Sequence, residues 1–256
     1  MRSSHVWSRE RSPLKFMVAG FLAIMAWNIT NVDAQQPFAA TMPPGHAILN
    51  GSMPPGAVGN ARLSGHGPGP VFGYYQPIKF VGPVGTKYAI ASMGAFADAE
   101  KDLMVGLLVG SVYRFKVTDI ERRPGVELYP SVEIIDRTYP PAGLETRYPI
   151  EIHLDEEDFD AALEGRMVTR VVYLEDPQNA VPLDQSTNPA KPIELSTYQN
   201  ALTEADRYGR PVAIVRLGSL TPPRNASLWT SFAYGNPPYA PIFQSRTGLE
   251  TSLQSP

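Results

Sequence analysis

The chain has 256 residues, with 22 Lys and Arg against 25 Asp and Glu, and it contains no cysteine. The lack of cysteine excludes a disulfide framework, zinc–cysteine sites and thiol catalysis, so a packed core must stabilise the fold. The basic residues are scattered along the chain instead of clustered. Displacing counterions from nucleic acid requires clustered Lys and Arg, and we therefore exclude nucleic acid as a partner.

Residues 1–34 have the charge order of a secretory signal peptide. Met1–Lys15 carries four basic residues and one acid, and the uncharged apolar run Phe16–Trp27 follows at once. This run is too short for a membrane anchor, which needs roughly 20 residues of helix. Because Ala34 closes a Val-Asp-Ala site for signal peptidase, we predict cleavage after it and a mature start at Gln35. An uncleaved anchor or a buried core helix is the alternative.

Loss of the signal peptide removes four of the 22 basic and two of the 25 acidic residues, which leaves 18 and 23 and a formal charge of −5. We expect an exported, mildly acidic protein of the periplasm, the cell envelope or the medium. No stable membrane span is predicted after cleavage.

Residues 35–76 are rich in glycine and proline and are predicted to form a disordered spacer. The sequence Met-Pro-Pro-Gly occurs twice in this segment, starting at Met42 and at Met53. Such a composition does not bury enough apolar surface to offset the entropy of ordering. A tether is therefore the main interpretation, and a recognition motif in polyproline form is the alternative.

Residues 77–221 are predicted to form one mainly β domain. The runs of strand type are Ile78–Val81, Lys87–Ser92, Leu103–Val109, Val112–Thr118, Val126–Asp136, Tyr148–Leu154 and Met167–Leu174. Within Val112–Thr118, apolar residues alternate with polar ones, which is typical of an antiparallel sheet with one solvated side. Short strands with few helices between them predict an antiparallel β-sandwich, either immunoglobulin-like or jelly-roll-like.

Two short helices are predicted within this domain. Asp155–Gly165 has an N-cap aspartate, acidic residues in its first turn and a terminal glycine. Thr197–Tyr208 precedes Gly209 and the strand Val212–Leu217. The acids at positions 155 to 158 could bind calcium or magnesium, but they lack the alternating ligands and central glycine of an EF-hand. We predict that they cap the helix, and we predict no metal site and no cofactor.

Residues 222–256 are predicted to form an extended, loosely held tail because of their prolines. In the alternative interpretation, the aromatic residues of this tail dock on the sandwich or on a partner. These residues are Trp229, Phe232, Tyr234, Tyr239 and Phe243.

Motifs for catalysis or nucleotide binding are missing from the sequence. It contains no Gly-x-Ser-x-Gly elbow, no His-Glu-x-x-His helix, no P-loop and no Rossmann glycine pattern. His153, the lone histidine of the predicted domain, is expected on the outer face beside Glu151. A pair of carboxylates for glycoside hydrolysis has no fixed sequence spacing, so any two acids could converge.

Three tyrosines that each precede a proline, Tyr129, Tyr139 and Tyr148, are the candidate binding residues. The Tyr-Pro dipeptides at Tyr129 and Tyr148 begin two segments of similar sequence. We interpret each segment as a strand that starts with a proline at the edge of a sheet; an internal duplication is the alternative. Grouped in space, the three rings would form a shallow aromatic binding surface.

Three segments resemble a group of uncharacterised exported proteins of planctomycete bacteria. They are Gly110–Asp136, with Tyr113, Phe115 and Tyr129-Pro130; Val168–Pro177, with Tyr173-Leu174-Glu175-Asp176; and Ala205–Arg216, with Tyr208-Gly209-Arg210-Pro211. The resemblance spans roughly residues 78–220. It implies a location in the bacterial envelope and carries no activity or catalytic residue.

The sequence thus favours a non-enzymatic envelope module that binds a protein or a polysaccharide through sheet faces or aromatic loops. The alternative is a carbohydrate-active hydrolase that uses paired carboxylates.

Overall fold

A computed structural model describes residues 53–66, 70–176, 192–196 and 199–242. This part of the chain contains ten strands in two sheets and four short α-helices, so the prediction of a mainly β fold is confirmed. The strands are β1 (Tyr75–Val81), β2 (Lys87–Ser92), β3 (Ala95–Phe96), β4 (Met104–Leu108), β5 (Val112–Thr118), β6 (Ser131–Ile134), β7 (Ile150–His153), β8 (Val168–Glu175), β9 (Gly209–Leu217) and β10 (Tyr239–Pro241). The helices are α1 (Ala57–His66), α2 (Glu156–Leu163), α3 (Ala201–Tyr208) and α4 (Trp229–Phe232), with 3₁₀ turns at Glu145–Arg147 and Ala226–Leu228.

The smaller sheet has the strand order β10-β4-β1-β7, and the larger sheet has the order β3-β2-β5-β6-β9-β8. Pairing is antiparallel except between β1 and β7, where Ile78 pairs with Ile150 in a parallel ladder. The prediction of purely antiparallel pairing is wrong at this point. The chain passes through four strands of the larger sheet between β1 and β7, and a connection of that length permits parallel pairing.

Both sheets contribute side chains to one hydrophobic core. The ring of Phe80 on β1 stacks on Tyr88 of β2 at 4.7 Å between centroids and lies 4.6 Å from Phe115 of β5. The predicted inward face of β5 is confirmed, because Tyr113 and Phe115 are buried there. The opposite face does not meet water at Arg114, which is only 6% exposed because residues 232–234 cover it.

Helix α1 lies inside the segment predicted to be a disordered spacer, and this part of the prediction is wrong. Val58 of α1 is fully buried in a second core cluster with Ile135, Leu202 and Ile214. The composition rule fails here because the sheet supplies the apolar surface that the segment itself lacks. Residues 35–52 and 67–69 of the predicted spacer lie outside the described part of the chain.

Helix α2 is capped as predicted. The Asp158 amide donates to Oδ1 of Asp155 at 2.9 Å, and the Asp155 amide donates back to Oδ2 of Asp158 at 3.2 Å. This reciprocal arrangement is a capping box. Helix α3 begins at Ala201 after its N-cap Asn200, whereas residues 197 and 198 of the predicted helix are outside the described residues.

Residues 226–241 are not the loosely held tail that we predicted; the docking alternative is confirmed for this part. Phe232 and Ala233 are buried, and Tyr239 pairs with Leu107 at the edge of the smaller sheet. Aromatic contacts outweigh the proline content here, since the rings of Trp229 and Phe96 lie 5.2 Å apart. Phe243 lies outside the described residues.

In the described ranges, no helix is long and apolar enough to cross a membrane. The predicted signal peptide lies outside them.

Candidate functional site

The structure separates the three tyrosines that were predicted to form one binding surface. Tyr129 is only 6% exposed, and its ring packs against Phe96 and Phe232 at centroid distances of 5.6 and 5.9 Å. Tyr139 and Tyr148 are 56% and 50% exposed. Tyr129 therefore belongs to an aromatic packing cluster, and the two exposed tyrosines remain as candidates for binding.

Two guanidinium groups flank Tyr139. Cζ of Arg137 lies 4.9 Å from the centroid of the Tyr139 ring, and Cζ of Arg210 lies 5.1 Å from it. Arg137 also lies 3.3 Å from the centroid of Tyr74. A guanidinium at such a distance is attracted to the electron-rich face of the ring, so these contacts hold Tyr139 in place while much of it stays exposed.

Backbone and carboxylate contacts hold both arginines. Arg210 Nη1 lies 2.7 Å from Oδ2 of Asp136, and its Nη2 donates to the carbonyl oxygen of Arg137 at 3.0 Å. Arg137 donates from Nε to the carbonyl oxygen of Thr138 and from Nη1 to that of Pro70, each at 3.0 Å. Their rotamers are thus fixed by the fold before any ligand binds, which lowers the entropic cost of recognition.

The buried side chain of Gln76 positions the backbone beside Tyr139. Its Oε1 accepts from the Thr138 amide at 2.7 Å and from the Thr138 hydroxyl at 3.1 Å. The carbonyl oxygen of Tyr148 lies 3.3 Å from the same hydroxyl, whose single hydrogen is shared between the two acceptors. Thr138 therefore connects the segments that carry the two exposed tyrosines.

An open cavity of about 490 Å³ adjoins this group of residues. Its lining includes Leu174, Glu175, Asp176, Asp206, Arg207 and Arg210. Arg210 belongs both to the cavity wall and to the cation–π pair with Tyr139, so this residue links the two features. The volume falls within the range of small-molecule sites. We call Tyr139, Tyr148, Arg137, Arg210 and this cavity the Tyr139 surface.

Gly209 shapes the wall of the cavity. A Cβ at this position would lie 1.9 Å from the carbonyl oxygen of Leu174, so no other residue fits without a shift of the backbone. Gly209 ends the preceding helix as predicted, because it is the C-cap of Ala201–Tyr208 and its amide donates to the carbonyl oxygen of Ala205; β9 begins at the same residue. The close approach of β8 and β9 is the physical reason for a glycine here.

Arg137 and Arg210 were missed as site residues at the level of sequence. They are 73 residues apart, and neither lies in a motif with a known chemistry. Arg137 follows β6 in the chain and Arg210 lies near the start of β9, and the pairing of Ile134 with Ala213 brings these two parts of the chain together. Only knowledge of this register would have placed them together.

The predicted capping residues and His153 lie in structural contacts. Asp158 accepts from Arg170 Nη2 at 2.5 Å, and burial raises the pKa of its carboxyl although Arg170 opposes the shift. The exposed His153 ring lies 3.3 Å from Oε2 of Glu151, on the outer face as expected. Among the described residues, no group of three or more His, Cys, Asp or Glu side chains is arranged to hold a metal ion.

A second cavity, of about 70 Å³, lies between the Glu121–Arg123 loop and α2. Arg122 pairs with Glu156 at 3.2 Å, and Arg123 pairs with Asp160. Because this cavity is small and ion pairs connect the loop to the helix across it, we interpret it as a packing gap between the two elements. The larger cavity beside Tyr139 is therefore the better candidate for a ligand.

Comparison with known proteins gives no relative: no family model, no curated protein and no solved structure matches the chain.

Proposed function

We propose that this protein is an exported, non-enzymatic module of the cell envelope that binds a polysaccharide through the Tyr139 surface. The observation that carries the proposal is a half-exposed tyrosine ring that two guanidiniums contact, one of which, Arg210, also lines an open cavity of about 490 Å³. We further propose that the two sheets pack as a β-sandwich of the immunoglobulin or jelly-roll type.

The chemistry of the Tyr139 surface suits a sugar chain. A sugar ring has an apolar C–H face, which packs on an aromatic face, and hydroxyl groups around its rim. Guanidinium and carboxylate groups donate to and accept from such hydroxyls. The cavity offers both kinds, with two arginines and three acids in its lining. This mixture favours a neutral glycan over a polyanion, since a polyanion requires an excess of positive charge.

Export and envelope location remain predictions that rest on the N-terminal charge pattern and on the sequence resemblance. They fit the proposed ligand, because polysaccharides are abundant outside the cytoplasm.

Affinity electrophoresis through gels that contain neutral or acidic polysaccharides tests the proposal. We expect at least one neutral polysaccharide to retard the mature protein, and Tyr139→Ala to weaken the association about tenfold, equivalent to roughly 1.4 kcal/mol. Tyr139→Phe keeps the ring and should bind nearly as well. Met93→Ala removes a side chain that is 94% exposed on the β2–β3 turn and serves as the matched control. Unchanged mobility of the native protein in every gel would overturn the proposal. Retardation of Tyr139→Ala equal to that of the native protein would also overturn it. Binding to an envelope protein, and to no polysaccharide, would assign the surface to a protein partner.

A glycoside hydrolase is the second candidate, and the three carboxylates in the cavity lining favour testing it. Glu175, Asp176 and Asp206 lie within reach of a ligand on the Tyr139 surface. Release of reducing ends from a bound polysaccharide, abolished by Glu175→Gln or Asp206→Asn, would establish hydrolysis. Binding without release would establish the non-enzymatic module.

A further inference from the structure

The connection between α4 and β10 holds three consecutive residues in the left-handed region of backbone conformation. Tyr234, Gly235 and Asn236 have φ angles of 53°, 82° and 50°. Glycine adopts such angles freely, and asparagine adopts them more readily than most residues, whereas a bulky tyrosine rarely does so. The non-glycine residues of this segment, Tyr234 and Asn236, therefore store conformational strain. We call Tyr234–Asn236 the hinge.

Asn236 is under a second constraint because Pro237 follows it. The proline ring clashes with the preceding residue and pushes that residue toward extended conformations. Moreover, Oδ1 of Asn236 is buried without a hydrogen-bond partner. An extended hinge would return Asn236 to the backbone region that a following proline favours, and it would give Oδ1 access to water.

The hinge returns the chain so that β10 pairs with β4 at the edge of the smaller sheet. Ala240 lies opposite Gly106, and a Cβ on Gly106 would lie only 3.1 Å from Cβ of Ala240. The hydroxyl of Tyr113 donates to the carbonyl oxygen of Pro238 at 2.6 Å. The edge of β4 is thus shaped for this particular segment, with a glycine slot for Ala240 and a hydroxyl donor for Pro238.

We propose that β10 is exchanged between two copies of this chain. In the exchanged dimer the hinge is extended, and β10 of each copy occupies the edge of β4 in the other. The contacts of β10 with the edge are kept in such an exchange, whereas the hydrogen bonds from the hinge amides to the carbonyl oxygens of residues 230, 231 and 233 open. The bent and extended forms therefore differ in these bonds, in the hinge strain and in the entropy of association. Short hinge loops under strain favour exchange of this kind.

A second copy of this chain is the favoured partner for the edge of β4. The space beside Gly106 fits Ala240, and the Tyr113 hydroxyl donates to Pro238, so the edge matches the β10 segment itself. The proposal is independent of the Tyr139 surface, and its test does not involve a polysaccharide.

Cysteine crosslinking tests the exchange directly, because the native chain has no cysteine. Gly106→Cys and Ala240→Cys are made in separate chains, mixed at high concentration and oxidised. We expect a disulfide between the two different chains, identified by mass spectrometry. A mixture of Met93→Cys with Ala240→Cys is the control and should give no such specific link. If the Gly106→Cys plus Ala240→Cys mixture links no better than this control, the proposal is wrong.

Hinge variants supply a second measurement that leaves the β4 edge intact. Asn236→Gly relieves strain in the bent form, so we expect a several-fold lower fraction of dimer by light scattering after size exclusion. Deletion of Gly235 shortens the hinge and should raise that fraction several-fold. A synthetic peptide of residues 236–241 should compete with the exchange. A strictly monomeric protein, in both the native chain and the Gly235 deletion at high concentration, would overturn the proposal.

Discussion

Arg216 on β9 donates from Nη1 to Oε2 of Glu133 on the neighbouring strand β6, at 2.8 Å and in the buried interior. The other carboxylate oxygen of Glu133 accepts from the Gly59 amide at 2.8 Å, and Nη2 of Arg216 donates to the carbonyl oxygen of Met53 at 3.2 Å. The ion pair therefore joins the larger sheet to α1 and to the residues before it. A buried charge pair of this kind depends on both partners, because either one alone would remain desolvated.

Glu133→Ala should lower the free energy of unfolding by about 3–5 kcal/mol, since it leaves the Arg216 guanidinium buried without its carboxylate. Urea denaturation followed by circular dichroism measures this change. Glu151→Ala is the matched control, because Glu151 pairs with Lys79 at 3.5 Å on the surface, where such a pair contributes about 0–1 kcal/mol. Equal losses in the two variants would contradict the importance of the buried pair.

Two glycines of α1 should respond in opposite ways to the same substitution. A Cβ on Gly59 would lie 3.1 Å from Cα of Gly110, whereas a Cβ on Gly65 has open space around it. Gly65→Ala should therefore stabilise the protein by up to ~1 kcal/mol through helix propensity. Gly59→Ala should destabilise it by about 1–3 kcal/mol because the helix and the β4–β5 turn must separate. Thermal melts of the pair measure both effects, and stabilisation by Gly59→Ala would show that α1 does not pack this closely.

Asp155→Ala should lower the free energy of unfolding by about 1 kcal/mol, the usual effect of losing an N-cap. Glu157→Ala, in the first turn but without a capping role, serves for comparison and should lose less. Millimolar calcium should leave the melting temperature unchanged, because the capping box accounts for the acidic run without a ligand. A calcium-dependent rise that disappears in acid-to-amide variants would identify a metal site instead.

Tyr113 should make stability depend on pH in the alkaline range. Burial raises the pKa of its hydroxyl from 10.0 to about 12, so the folded state favours the neutral phenol. This contribution is complete below pH 10, the pKa in the unfolded chain, and is lost as the pH rises from 10 toward 12.

Tyr113→Phe removes this titration together with the hydrogen bond to the Pro238 carbonyl oxygen. We expect the variant to be about 1 kcal/mol less stable below pH 10 and to lose less stability than the native protein between pH 10 and 12. Urea melts at several pH values measure the difference, with Tyr139→Phe on the surface as the control. Parallel pH profiles of the native protein and Tyr113→Phe would contradict the burial argument.

The mature protein should begin at Gln35 and be recovered outside the cytoplasm. The basic start, the short apolar run and the Val-Asp-Ala site occur in the order that signal peptidase requires. N-terminal sequencing of the protein from a cell fraction measures this. Retention of Met1 in a membrane fraction would instead indicate an uncleaved anchor, and Ala34→Leu should block processing if the site is correct.

Local patterns in the sequence were sufficient for several elements of the fold. The strands Lys87–Ser92 and Val112–Thr118 have the predicted bounds. Asp155 caps its helix as predicted. Side-chain alternation and capping depend on residues only a few positions apart, so both can be inferred without knowing which strands pair.

Only the tertiary structure decided the features that depend on distant residues. Arg114 was predicted to face water, but residues 118 positions later cover it. Helix α1 is held by residues far away in the chain: Glu133, 74 residues away, accepts from the Gly59 amide, and Val58 is buried against Ile135 and Ile214. The contacts of Arg137 and Arg210 with Tyr139 likewise depend on the pairing of β6 with β9. The sequence alone determined the β-rich class, the positions of most strands and the capped helix. Long-range pairing determined the edge strands β3 and β10, which polar residues are buried and which aromatic residues remain available for binding.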